Sequence, residues 1–307
     1  MRILGRGVFS GSMVTAVVFV TTSFVTFAQD AGVKSFPTYQ AAATAFVDAE
    51  RNQDSAALTA ILGSQAQGML SSGDAVQDEN GRQGFLKGYD TKHGFTHDSA
   101  DKVTLTIGNS GWPLPFPIVK ENGAWHFDAV AGAQEMVYRR IGHNELDAIK
   151  VCKALVAAQK EYAATGHDGN PPGLYAQRIV SQDGKQNGLY WKTEEGESTS
   201  PAGDLVAYAT NEGYQDKRSP FHGYYFRILK SQGANAPGGA KDYVKDGQMT
   251  GGFAILAYPA EYKASGVMTF VANKYGRVRQ KDLGDNTADA AKAITTYDPD
   301  KTWAVVQ

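Results

Sequence analysis

The sequence predicts an α+β protein built in two parts behind an export signal. Three observations lead to this prediction: a charged and then apolar N-terminus, a first part with helical patterns followed by short strands, and a long helical pattern followed by antiparallel strands. With 307 residues, of which 42% are hydrophobic, the chain can form two domains of about 100–200 residues each. We predict a signal peptide at residues 1–28, an N-terminal α+β subdomain at 29–130 and a C-terminal α+β subdomain at 131–307.

The N-terminus has the three regions of a secretory signal peptide. Arg2 and Arg6 precede an uncharged apolar run that reaches Phe27, and Thr26 and Ala28 supply the small residues of a cleavage site. We expect general secretion, cleavage after Ala28, and a periplasmic or secreted mature protein. The alternative is an uncleaved membrane anchor, because the run is long enough to span a bilayer. No later segment has that character, so no stable membrane span is expected after cleavage.

The first subdomain is predicted to contain two helices within residues 36–63, with Asp54 or Ser55 capping the second. Residues 63–102 are rich in Gly, Ser, Asp and Asn, which predicts a loop with a short helix at most. Alternation of apolar and polar residues then predicts a strand at 103–107. A hairpin at 118–127, with its turn at residues 121–123, completes a small antiparallel sheet.

The second subdomain begins with helical patterning. A helix is predicted at 134–141, a break at Gly142, and a long helix from the capping residue Asn144 to about residue 165. The lone cysteine, Cys152, falls on its apolar face and is interpreted as a small buried hydrophobe, with a reactive thiol as the alternative. Antiparallel strands and a closing helix at 287–296 are expected after it, and the glycine-rich stretch 231–252 is predicted to be a long loop.

Composition and motifs exclude several classes of function. The formal net charge is −2, with 30 basic and 32 acidic residues and no basic cluster, so no nucleic-acid partner is expected. The phosphate-binding loop, the zinc-protease motif and the nucleophile elbow are all missing from the sequence. His93 and His97 are interpreted as solvated histidines and not as metal ligands, and Ser219 with His222 is a weak hydrolytic pair. We therefore predict no catalytic, cofactor-binding or metal-binding residues and no cofactor.

Two groups of residues remain as candidate sites. Prolines at alternate positions between Trp112 and residue 117 enforce an extended chain, which favours a rigid structural strut with a buried Trp112. The alternative is an aromatic ligand groove formed by Trp112, Phe116 and Trp125. Near the start of the long helix, charged side chains are predicted to form an ion-paired joint between the subdomains. These are Arg139, Arg140 and Glu145.

Five strings in the chain resemble a bacterial family of exported proteins that is defined only as a domain of unknown function. They are Gly111–Lys120, Trp125–Asp128, Arg139–Leu146, Gly251–Ala254 and Gly266–Phe270. The resemblance covers nearly all of the mature chain and implies export and a shared fold, with no catalytic residues to transfer. More weakly, the first half is similar to cone-shaped folds of the nuclear-transport-factor type. The second half is similar to pilin-like globular domains, although no leader-peptidase site precedes an apolar assembly helix.

Taken together, these observations favour a non-enzymatic binding or assembly module of the cell envelope. Its partner would be an unidentified envelope protein or a small ligand. The alternative is a periplasmic hydrolase whose site is assembled from residues distant in sequence. A deep polar pocket that gathers carboxylates or histidines would favour the hydrolase, whereas an apolar surface around Trp112 would favour the binding module.

Overall fold

The computed structural model describes residues 33–64, 71–193, 199–214 and 219–306. The predicted signal peptide lies outside these residues. The helices are α1 (Tyr39–Asn52), α2 (Ser55–Leu62), α3 (Ala75–Thr91), α4 (Ala129–Ala164), α5 (Gly203–Asn211) and α6 (Thr287–Ala293). The strands are β1 (His93–Ser99), β2 (Lys102–Ile107), β3 (Trp112–Pro113), β4 (Ile118–Glu121), β5 (Ala124–Phe127), β6 (Tyr224–Leu229), β7 (Ser231–Gln232), β8 (Lys241–Asp242), β9 (Val244–Lys245), β10 (Gln248–Met249), β11 (Ala254–Pro259), β12 (Met268–Asn273), β13 (Val278–Asp282) and β14 (Ala304–Val305). The predicted α+β class is confirmed.

The first sheet follows the sequence pattern closely. Its strands are antiparallel in the order β1-β2-β4-β5, and β3 pairs with β2. Val103, Leu105 and Ile107 alternate with polar residues, and their buried side chains belong to the same hydrophobic core as buried residues of α1 and α2. The β4–β5 turn is formed by Asn122 and Gly123, both with positive φ (50° and 84°), which matches the twist of a two-residue hairpin. The predicted strand and hairpin are confirmed, and Asp54 caps α2 through the amide of Ala57.

The expectation of a loop at residues 63–102 is wrong. Helix α3 occupies 17 of these residues, and β1 forms a full strand against β2. None of the α3 residues is fully buried, and three of them are glycines. Its sequence therefore lacks the apolar stripe by which an amphipathic helix is usually detected. The Asp74 carboxylate caps the helix by accepting a hydrogen bond from the amide of Gln77 at 3.1 Å.

The predicted helix break at Gly142 is also wrong, because α4 runs through it for 36 residues. A side chain added at Gly142 would meet nothing within 4 Å, and the helix accepts this one exposed glycine. Asn144 is not a cap: it is buried in the middle of α4 and donates to the carbonyl oxygen of Ser265 at 2.8 Å. Cys152 is fully buried, as predicted, and burial raises the pKa of its thiol to about 12.

The second sheet carries the C-terminal core. Its antiparallel strands follow the order β14-β13-β12-β11-β6. Helix α4 packs across β11 and β12, and α6 packs against β11. The segment predicted as a long loop, residues 231–252, contains the four short strands β7 to β10, which pair as two small ribbons. Helix α4 contributes Ala129 and Ala133 to the N-terminal core and Cys152 and Leu155 to the C-terminal core, so it belongs to both.

Candidate functional site

An open groove of about 1090 Å³ lies between α1, α3, the end of β2 and the first third of α4. We call it the apolar groove. Its apolar lining consists of Phe46, Leu58, Phe85, Ile107, Trp112, Leu114, Pro115, Phe116 and Met136. Its charged lining consists of Glu50, Asp78, Glu79, Arg82, Arg139 and Arg140. Ligand pockets in proteins commonly combine such an apolar wall with a few polar groups, and their volumes are typically about 300–1,000 Å³.

One wall of the apolar groove is a glycine face on α3. Gly81, Gly84 and Gly88 are three and four residues apart, so they lie on one side of the helix and all line the groove. A Cβ at Gly88 would contact Ile107 at 3.1 Å, so this glycine lets α3 approach β2. A Cβ at Gly81 or Gly84 would meet nothing within 4 Å. These two glycines therefore leave space in the groove that no side chain fills.

The charged lining is partly neutralised within the protein. Arg82 makes two hydrogen bonds to the carboxylate of Glu79, at 2.8 and 2.6 Å, and donates a third to the carbonyl oxygen of Glu50 at 3.0 Å. The pKa of Glu79 is lowered to about 2 by the hydrogen bonds from Arg82 and Gln83. In contrast, burial raises the pKa of Glu50, and the nearby Arg82 offsets only part of this increase. Glu50 is thus a desolvated carboxyl group in an apolar cleft, a common property of binding and catalytic sites.

The aromatic residues singled out in the sequence are only partly brought together. Trp112 and Phe116 line the apolar groove, whereas Trp125 is buried beside Tyr39, with ring centroids 5.2 Å apart. Trp112 is 58% exposed, and the guanidinium of Arg139 lies 5.3 Å from the centre of its ring. The strut prediction required a buried Trp112, and this part of it is wrong. The prolines hold the segment at the sheet edge, where β3 forms only two residue pairs with β2 and the indole faces solvent.

The residues of the predicted joint contact different neighbours. Arg139 pairs with Glu135 at 2.7 Å and donates to the carbonyl oxygen of Pro113 at 3.2 Å. Arg140 donates to the carbonyl oxygen of Ser71 at 2.8 Å, and burial lowers its pKa. The carboxylate of Glu145 accepts the amides of Val267 and Met268, each at 3.0 Å. Glu145 therefore ties α4 to the start of β12, while Arg139 and Arg140 lie at the apolar groove.

Sequence reasoning missed an acid–histidine cluster formed by His143, Asp147, Glu212 and His222, in which Asp147 and His222 are buried and His143 is exposed. The imidazole of His222 is held between two carboxylates, with Nδ1 2.9 Å from Asp147 and Nε2 2.6 Å from Glu212. His143 is 3.1 Å from the same oxygen of Asp147. Burial opposes ionisation of Asp147, but Lys150, His143 and His222 outweigh it and lower its pKa. Only the spacing of His143 and Asp147 on one helix face could have indicated this cluster from the sequence.

The geometry of this cluster does not match a hydrolytic triad. Both ring nitrogens of His222 are bound to carboxylates, so the ring does not contact Ser219, which is exposed. His222 also has a positive φ of 47°, a strained conformation for a non-glycine residue, and its amide donates to the hydroxyl of Tyr214 at 3.3 Å. In the described part of the chain, no group of three or more His, Cys, Asp or Glu side chains is arranged to hold a metal ion.

His93 and His97 lie on strand β1 and not in a loop. The ring of His93 stacks on Tyr89 with centroids 3.9 Å apart, and His97 meets the ring of Tyr39 edge-on at 5.4 Å. Alternation along a strand places both rings on the same face of the sheet, where each packs against an aromatic neighbour. Both residues are exposed, which agrees with their interpretation as solvated histidines.

Residues 33–306 match the model of a family described as proteins of unknown function, DUF2950. The chain belongs to this family. The match spans the three hydrophobic clusters of the described residues, so the DUF2950 domain includes the apolar groove and the acid–histidine cluster. No curated protein and no solved structure matches the chain. Over the residues that the structure describes, none of the helices combines the length and apolar character that crossing a membrane requires.

Proposed function

We propose that this protein is an exported, non-enzymatic binding module of the cell envelope that holds a small amphipathic molecule in the apolar groove. The observation that supports this proposal is the glycine face of α3, on which the exposed Gly81 and Gly84 line the open apolar groove without a neighbour within 4 Å. The apolar body of the ligand would pack against Phe85, Phe116 and the α3 backbone. Its polar end would meet the charged lining.

The energetic argument begins with helix propensity. A glycine in a helix interior costs about 0.8–1 kcal/mol relative to alanine, so these positions weaken α3. A glycine that lets two elements approach compensates for this cost by packing, as Gly88 does against Ile107 at 3.1 Å. Gly81 and Gly84 gain no such contact within 4 Å. Retaining them lowers stability without improving the packing, which is typical of residues that serve binding.

The charged lining supports the same interpretation. Glu50 is kept in a position where burial raises its pKa, although an uncharged residue of the same size would avoid this cost. A desolvated carboxyl group can hydrogen-bond a hydroxyl or amide of a ligand more strongly than one in water. An apolar cavity with one such group can both attract an amphipathic molecule and orient it.

The alternative of a hydrolase would have to use the acid–histidine cluster, where the histidines and carboxylates gather. There the Nε2 atom of His222 contacts Glu212 at 2.6 Å, so the ring is not positioned to activate a hydroxyl or a water molecule as a general base. We therefore propose binding, and not hydrolysis, as the main function.

Binding can be tested by filling the groove from its glycine wall. Gly84→Leu introduces a side chain into open space, so it should strengthen α3 and at the same time occupy the groove. The probe is N-phenyl-1-naphthylamine, whose fluorescence increases in apolar sites, with palmitate as the competitor. We expect saturable probe binding by the mature wild-type protein, displacement by palmitate, and at least about a tenfold weaker affinity in Gly84→Leu.

The matched control is Gly142→Leu. Gly142 is also a helical glycine without a neighbour within 4 Å, but it does not line the groove. Its replacement should leave probe binding unchanged. The proposal would be contradicted if the wild-type protein took up no probe, or if both leucine variants bound it as the wild type does.

Export is tested separately by N-terminal sequencing of the protein recovered from the envelope fraction. The charged start, apolar run and small residues at Thr26 and Ala28 predict a mature protein that begins at Gln29. A recovered protein that retains Met1 would contradict export by cleavage and would leave the groove proposal unaffected.

A further inference from the structure

A second cavity, of about 260 Å³, lies at the far end of α4 from the apolar groove. We call it the polar pocket. It is formed by the last turn of α4, the loop that follows it and the β9–β10 ribbon. The residues that matter for its chemistry are Tyr162, His167, Tyr175, Arg178 and Gln248. Its volume is below the range of about 300–1,000 Å³ that is typical for drug-sized ligands, so its ligand must be small.

The walls of the polar pocket are fixed by hydrogen bonds between segments distant in sequence. The amide of Tyr175 donates to the carbonyl oxygen of Met249 at 2.9 Å, and Gln177 donates to the carbonyl oxygen of Gly247 at 2.6 Å. The Tyr162 hydroxyl donates to the carbonyl oxygen of Gln186 at 2.7 Å. The first two bonds connect the loop after α4 to the β9–β10 ribbon, and the third connects the last turn of α4 to residue 186. The pocket is therefore preformed and loses little conformational entropy when a ligand binds.

The charged side chain that lines the polar pocket is positive. Arg178 lines it, and none of the described residues that line it is an Asp or a Glu. Within the described chain, the Arg178 guanidinium has no hydrogen bond or ion pair, and the Tyr175 hydroxyl has no hydrogen-bonding partner. A guanidinium presents a planar set of donors that matches a carboxylate in a bidentate geometry. The pocket thus offers an unused anion-binding group on its wall.

The remaining lining suits a hydroxylated ring. The rings of Tyr162 and His167 stack 4.1 Å apart, and Tyr175 packs at 4.9 Å on Phe253, so the aromatic side chains are rigid. The Gln248 side chain donates to Asn170 through Nε2 at 3.3 Å, which leaves its Oε1 to accept a hydroxyl. Aromatic rings offer an apolar surface beside these polar groups. We propose that the polar pocket binds a sugar acid of monosaccharide size, with its carboxylate on Arg178.

Isothermal titration calorimetry of the mature protein with D-glucuronate tests this proposal, with D-glucose as the neutral probe of the same ring size. We expect glucuronate to bind and D-glucose to bind at least about tenfold more weakly. Arg178→Gln removes the charge and should weaken glucuronate at least about tenfold. Arg178→Lys should give an intermediate affinity, because an ammonium keeps the charge but cannot form the bidentate pair.

Arg277→Gln is the matched control, because it removes the charge of another exposed arginine, on the β12–β13 turn, that does not line the pocket. It should leave the affinity unchanged. Thermal melts of both glutamine variants should lie close to that of the wild type, because the Arg178 guanidinium makes no hydrogen bond or ion pair within the described chain. Heat flow indistinguishable from dilution up to about 10 mM glucuronate, equal affinity for glucose, or equal losses in the two glutamine variants would overturn the proposal.

Discussion

Two pairs of glycines, one in each half of this molecule, serve opposite purposes. In the C-terminal half, a Cβ at Gly266 would lie 2.2 Å from the hydroxyl oxygen of Tyr224, and one at Gly223 would lie 2.5 Å from the Nδ2 atom of Asn144. In the N-terminal half, a Cβ at Gly81 or Gly84 would meet nothing within 4 Å. The first pair allows close packing, whereas the second pair keeps a cavity open. Glycine content alone therefore does not separate a tight core from a binding groove.

The difference extends to the elements around these glycines. Strand β11 is almost entirely buried between α4 and α6, and Tyr224 beside it is fully buried and donates to the carbonyl oxygen of Met268 at 2.9 Å. Helix α3 has no fully buried residue. We infer that stability resides mainly in the C-terminal core, which leaves the N-terminal half free to keep an incompletely packed helix beside its groove.

Among the glycine substitutions, the largest effect is expected at Gly266. Gly266→Ala would force the new methyl group into the ring of Tyr224, which is fully buried and cannot move aside. Overpacking of this kind costs about 1–3 kcal/mol or more, and we expect a loss of about 3 kcal/mol in the free energy of unfolding. Thermal and urea denaturation measure it. Adding Tyr224→Phe removes the closest atom, so the double variant should lose less than the sum of the two single variants.

At Gly84 the sign of the effect should be opposite. Gly84→Ala adds a methyl group in open space on a helix, which should raise the free energy of unfolding by about 0.8–1 kcal/mol. Gly142→Ala, in an equally open position on α4, should give a gain of similar size. A loss of stability in Gly84→Ala, measured in the same denaturation experiment, would show that the space beside Gly84 is already filled.

Sequence patterns predicted the elements whose burial is regular. Val103, Leu105 and Ile107 alternate because one face of β2 is buried, and Asn122 and Gly123 adopt the positive φ values that the hairpin turn requires. Helix α3 was missed because its groove face carries three glycines and several charged residues, which remove the periodic apolar signal. The break expected at Gly142 did not occur because tertiary contacts stabilise the helix just beyond it: Asn144 bonds to Gln77 of α3 and to Ser265, and Glu145 bonds to Val267.

The sites were less predictable than the fold. Proline spacing correctly drew attention to Trp112, but the direction of its side chain depends on the sheet edge and on Arg139. The acid–histidine cluster joins Asp147 to residues 65 and 75 positions away, Glu212 and His222, and one sequence carries no signal for such a contact. The polar pocket is likewise assembled from α4, the loop after it and the β9–β10 ribbon.

The next prediction concerns the pH dependence that Glu50 gives to the N-terminal half. Burial raises its pKa in the folded protein above the ordinary value of 4.5, so folding favours the neutral form. Below its pKa in the unfolded chain, Glu50 is neutral in both states and burying it costs no ionisation energy. As the pH rises through its pKa in the folded protein, the free energy of unfolding falls. Glu50→Gln should therefore raise the melting temperature at pH 7 and have little effect at pH 4. A Glu79→Gln control should destabilise at pH 7, because the pKa of Glu79 is lowered.

The smallest effect on stability is expected at Trp112, although it should have a large effect on binding. Its side chain is 58% exposed, and its stacking with Arg139 at 5.3 Å is worth about 0.5–1 kcal/mol at such a site. Trp112→Ala should thus lower the melting temperature by no more than about 2–4 °C. Because Trp112 lines the apolar groove, probe affinity should fall clearly. Trp125→Ala is the control: this indole is buried, and its loss should cost about 3–5 kcal/mol. If Trp112→Ala destabilised the protein as much as Trp125→Ala, the segment would be a strut after all.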